Sequence, residues 1–199
     1  MVTKFAVALA AAAMAVGSLA AGTSALAQQS MSVLGATSAA VKCADQAAIA
    51  TRGGRASSRS IDVCDEAIKH EALTSGELAA AYVNRSVLHL TLGHVAAAIA
   101  DDDAALQLQG NLADAFVNRG AAHAAAQSFA DAVGDFDHAL ALKPRHSEWV
   151  YYNRGLARED LGDLKGAYLD YLQASQLDPS WSLPKTELAR FTVARPAQG

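Results

Sequence analysis

The string Tyr82-Val83-Asn84-Arg85-Ser86 returns as Phe116-Val117-Asn118-Arg119-Gly120 and again as Tyr151-Tyr152-Asn153-Arg154-Gly155, at separations of 34 and 35 residues. A period in this range constrains the fold more than any local propensity. Each copy is one supersecondary unit that buries its apolar face only by stacking on the next. Downstream columns stay in register, which a chance match of five residues would not do. Fourteen residues after each Asn stand Ala98, Ala132 and Ala167, and seventeen after stand Asp101, Asp135 and Asp170. Twenty-four after come Leu108, Leu142 and Leu177, and two further on Gly110, Pro144 and Pro179. Residues four and seven apart share one helix face, so Tyr82, Ser86 and His89 align on a first helix and Ala98, Asp102 and Ala105 on a second. Small side chains let two helices approach closely, with the neighbouring aromatic filling the space beside the contact. Pro144 and Pro179 stop the second helix, and Gly93 and Gly162 give the inner turn a permissive backbone.

The pattern resembles the tetratricopeptide repeat over about residues 79–181. Each unit has the family's early aromatic (Tyr82, Phe116, Tyr151), a small residue four on (Ser86, Gly120, Gly155) and the two later alanines of the second helix (Ala98 and Ala105, Ala132 and Ala139, Ala167 and Ala174). The resemblance implies an all-α fold, a right-handed superhelix of antiparallel helix pairs, with repeats at 79–112, 113–146 and 148–181. Three departures stand out. Gln127 replaces the inner-turn Gly, Gly110 replaces the closing Pro, and Asp102 stands where Phe136 and Tyr171 stand in the other copies. An Asp in an aromatic column predicts looser packing there, or a paired carboxylate.

A degenerate helical hairpin is expected at 38–78, with helices at Ala39–Ala50 and Ile61–Leu73 around the polar loop Thr51–Ser58, and Thr74–Leu78 as a lengthened connection. A capping helix is expected at 182–193, started by Ser182, because repeat arrays otherwise expose their last stacking face. The resemblance also places ligand contacts on the concave surface of the first helices. The columns are Val83, Val117 and Tyr152; Val87, Ala121 and Leu156; and Asn84, Asn118 and Asn153. They make a narrow, mostly apolar groove with a row of amides able to hydrogen-bond an extended peptide or hold a partner helix. Alternatively, the Asn column braces the loops between repeats.

The chain begins with one positive charge at Lys4, an apolar run from Phe5 to Val16, and small residues ending in Ala25-Leu26-Ala27. That is the form of an export signal cleaved before Gln28, and the run is too short to span a bilayer. Residues 28–37 read as a flexible linker, and the destination as periplasmic or secreted. Loss of Lys4 takes the formal charge from −4 to −5, which argues against nucleic acid, held largely through clustered Lys and Arg. The only cysteines, Cys43 and Cys64, are expected to form a disulfide in an oxidising compartment. Such a bridge contributes on the order of 3 kcal/mol. They lack the neighbours of a zinc site or an activated thiol.

No residue set reads as an active site. The sequence has no nucleophile-elbow string and no phosphate-cradling glycine loop, so no enzyme, cofactor or metal is expected. The Arg column (Arg85, Arg119, Arg154) could form an anion-binding ladder, but semi-buried arginines are ordinarily paired, here with the Asp column of the same or the preceding second helix. His89 and His123 share a column, but their third counterpart is Arg158, so packing imidazoles are expected rather than a metal pair. Asp101-Asp102-Asp103 lacks the Gly and spacing of a calcium loop. The function this leaves is recognition of another protein or peptide, as an adaptor or as an auxiliary part of an envelope assembly.

Overall fold

The computed structural model describes residues 38–191; the expected signal at 1–27 and the linker at 28–37 lie outside them. Among the described residues there are nine helices and no strand, and no helix is long and apolar enough to cross a membrane. Helices α1 (Ala39–Thr51) and α2 (Ser58–His70) form an N-terminal hairpin. The three repeats follow as α3 (Ser75–Thr91) with α4 (Val95–Leu108), α5 (Ala113–Ala125) with α6 (Phe129–Ala141), and α7 (Ser147–Asp160) with α8 (Leu164–Leu177). A short α9 (Ser182–Leu188) closes the array. Each helix packs chiefly on its neighbours in the chain, the signature of a solenoid in which each unit touches only the next.

The three inner turns are built alike. Gly93 (φ +78°), Gln127 (φ +63°) and Gly162 (φ +83°) occupy the left-handed region. Their N–H groups donate to Leu90, Ala124 and Glu159, and the next N–H reaches back to His89, His123 and Arg158, at 2.8, 2.8 and 2.9 Å. A side chain in that region costs about 1–2 kcal/mol, which Gln127 carries where the other turns use Gly.

Several boundaries differ from expectation, each for a local reason. Thr74–Leu78 is not a connection but the first turn of α3. The Thr74 side chain accepts from the Glu77 N–H, and the Glu77 carboxylate accepts from the Thr74 N–H at 2.8 Å, a reciprocal cap that starts the helix early. Helix α2 runs a turn earlier than Ile61–Leu73. Ser57 caps its start, and Glu71 leaves it so that its carboxylate accepts from the N–H groups of Ala39 and Ala40 at 2.6 and 3.0 Å. A carboxylate on free amides at a helix N-terminus is favourable, and here it ties the end of α2 to the start of α1. At the other end, Trp181 rather than Ser182 is the cap residue of α9, and the helix stops at Leu188 instead of reaching 193. The Arg190 and Phe191 N–H groups turn back onto Glu187 and Leu188, which brings Phe191 against Tyr168 and Tyr171 with ring centroids 5.7 and 6.1 Å apart.

The core runs along the stack as a series of clusters. Ala47 of α1 joins Ala79, Val83 and Val87 of α3 with Ala105 and Ala115. Val117, Phe136 and Ala139 meet Val150 and Ala157, and Tyr152, Leu156 and Tyr171 meet Trp181, Leu183, Leu188 and Phe191. Cys43 and Cys64 are disulfide-bonded and fully buried, with Cα atoms 4.7 Å apart.

Candidate functional site

The Arg column is a clamp, and it grips two helices at once. Arg85 makes a forked pair to Asp101 of its own repeat (Nε at 2.9 Å, Nη2 at 2.6 Å), while Nη1 reaches Asp65 of the preceding hairpin at 2.6 Å. Arg119 repeats this with Asp135 (3.0 and 2.6 Å) and Asp103 (2.6 Å). Arg154 repeats it again with Asp170 (3.0 and 2.7 Å) and Asp137. Each guanidinium also lies over the aromatic three residues before it, 5.3–5.4 Å from the Tyr82, Phe116 and Tyr151 ring centroids. Hydrogen bonds to Asp101 and Asp135 are the main reason the Arg85 and Arg119 groups are held even more firmly charged than usual. With every fork engaged, the ladder braces the array and is not free to bind anions.

The columns expected to line a groove sit where the helix pattern placed them, yet their apolar members do not offer surface. Val83, Val87, Val117, Ala121, Tyr152 and Leu156 are all 4 % exposed or less, packed against second helices and neighbouring units. At that exposure those side chains hold the repeats together. Tyr152 also lies under the C-terminal cap, its ring centroid 4.8 Å from that of Trp181, and burial raises its hydroxyl pKa to about 12. The asparagines differ. Asn84 is half-buried, whereas Asn118 and Asn153 are buried and their Nδ2 atoms have no hydrogen-bond partner. Unpartnered buried amides are rare in native proteins and call for a reason.

A family model described as "Tetratricopeptide repeat" matches residues 150–180, most of α7 and all of α8. That segment matches the tetratricopeptide repeat. Among solved structures, one titled "MamA RS-1 ArsTM double mutant" is similar to it with a TM-score of 0.62 and 19 % identity, over 77 % of this chain and 82 % of that one. At that identity the likeness concerns the fold. No curated protein sequence matches the chain.

Within the repeats, one substitution is of physical interest. A Cβ on Gly120 would lie 2.8 Å from Phe136 Cε1, and one on Gly155 would lie 2.8 Å from Tyr171 Cε1, so each aromatic requires a glycine opposite. In the first repeat the same two positions hold Ser86 and Asp102, and the Ser86 hydroxyl donates to Asp102 Oδ2 at 2.6 Å. The exchange is paired: a larger residue opposite a smaller one, with a hydrogen bond between them. Asp102 is fully buried, its Oδ1 has no partner, and burial drives its pKa well above the usual carboxylate range.

Sequence reasoning set His89 beside His123 in a column, and the structure keeps them in separate repeats. Each imidazole Nε2 stands 3.8 Å from an Asp of its own repeat, Asp101 and Asp135 respectively. Among the described residues no three His, Cys, Asp or Glu side chains converge as a metal site.

Proposed function

We propose that this chain is an exported, non-catalytic interaction scaffold, acting in the periplasm or outside the cell and binding an extended peptide or partner helix along the first-helix face of its repeats. The observation that carries the reading is the Asn column, in which Asn118 and Asn153 keep unpartnered amide nitrogens on successive first helices, beside the half-buried Asn84. Backbone carbonyls of a bound segment are the natural acceptors for such a row. A small opening between adjacent first helices would admit them. The buried disulfide supports an oxidising compartment, and the apolar run with its Ala25-Leu26-Ala27 terminus supports export.

A second reading, an auxiliary structural subunit with no ligand of its own, is favoured by the closure of the apolar columns and by Trp181 over Tyr152. The test is a pull-down from cell-envelope extract comparing wild type with an Asn118→Ala/Asn153→Ala variant. Removing amides that bond to nothing should leave thermal stability nearly unchanged. A partner kept by wild type and lost by the variant supports the groove reading. Equal recovery moves the function to another surface, and the absence of any partner favours the structural subunit.

A further inference from the structure

The inner turn ties two positions of every repeat together by their backbones, through the bonds from His94, Ser128 and Asp163 to His89, His123 and Arg158. Their side chains therefore leave the turn as neighbours. In the third repeat they carry opposite charges, with Arg158 Nε and Asp163 Oδ2 3.9 Å apart. In the first repeat both are imidazoles, and their Nδ1 atoms stand 3.3 Å apart. Two Lewis bases thus occupy the place of a cation and an anion.

The surroundings of His89 favour a metal ligand. Its Nε2 faces Asp101 Oδ2 at 3.8 Å, and Asp101 is itself fixed by the Arg85 fork. At that distance the carboxylate makes no hydrogen bond to the ring, but its negative charge lies on the Nε2 side while Nδ1 faces His94. Metal–nitrogen bonds of about 2.0–2.1 Å meeting at a tetrahedral angle set their nitrogens about 3.4 Å apart, close to the spacing found here.

We infer that His89 and His94 chelate one divalent transition-metal ion through their Nδ1 atoms, with water completing its coordination. Imidazole pairs suit zinc, copper and nickel. With only two protein ligands the site is open and exchangeable, and its free positions can accept a donor from another molecule. The second repeat has Ser128 in place of the second imidazole, so His123 serves as an internal control.

The test is calorimetric titration of the oxidised, tag-free chain with zinc(II) alone, with imidazole nitrogen shifts followed by NMR. Wild type and His123→Ala are expected to take up one equivalent, with shifts at the His89 and His94 Nδ1 atoms. His89→Ala and His94→Ala are each expected to lose it. His94 is exposed, so its replacement should leave the fold intact, as circular dichroism would verify. Absence of zinc uptake by the wild type overturns the inference and leaves a hydrogen-bonded pair. Uptake that survives either single replacement overturns it as well.

Discussion

Asp102 shows how one residue can set the pH response of a junction. Its folded pKa is raised by burial, so the folded state holds its proton more tightly than the unfolded chain. The contribution is therefore most favourable below the unfolded value near 4 and declines as pH rises toward the folded one. Asp102→Asn, which keeps the shape and cannot ionise, should be more thermally stable than wild type at pH 8 by on the order of 1–3 kcal/mol. That advantage should shrink or vanish at pH 4, as melting curves at the two pH values would show. The glycines make a sharper contrast. Gly120→Ala drives a methyl into Phe136 and should destabilise by about 1–3 kcal/mol, whereas a Cβ on Gly134 meets nothing within 4 Å. Gly134→Ala should stabilise by up to about 1 kcal/mol, and urea midpoints for the two variants should move in opposite directions.

At the scale of the element, the N-terminal hairpin depends on local ties more than on apolar bulk. The disulfide, the Glu71 cap on α1 and the Ser60–Gln46 hydrogen bond at 2.8 Å stand in for the missing aromatic. Reducing the Cys43–Cys64 bond should destabilise this region by about 3 kcal/mol. Hydrogen exchange should then show α1 and α2 losing protection first while α5 to α8 keep theirs, since repeat arrays open unit by unit. The sequence made the helix pairs legible because Tyr82, Phe116 and Tyr151 with their alanine columns repeat at a fixed period. It did not show that Thr74 and Glu77 start a helix early or that Glu71 stops one, because these depend on single side chains reaching backbone groups. The pairing of His94 with His89 was equally hidden, since it arises from the geometry of a turn and not from a column.

Over the whole molecule, the groove was legible as columns but not as surface. Whether Val83, Val117 and Tyr152 face a ligand depends on how closely neighbouring first helices approach, and that depends on packing along the stack. The cap is also a property of the whole array, with Trp181 and Phe191 covering Tyr152 and Tyr171. A Trp181→Ala/Phe191→Ala variant should lose stability in the last repeat and self-associate, as sedimentation velocity at increasing concentration would reveal. The clamp ladder adds a direction to the stack. Asp65, Asp103 and Asp137 each present a carboxylate to the arginine of the following unit, but the fourth member of that column is Leu172, half-buried on α8. A duplicated copy of the second repeat inserted before the third would find an acid behind it and an arginine ahead. The same copy appended after α8 would meet a leucine, leaving its arginine one carboxylate short.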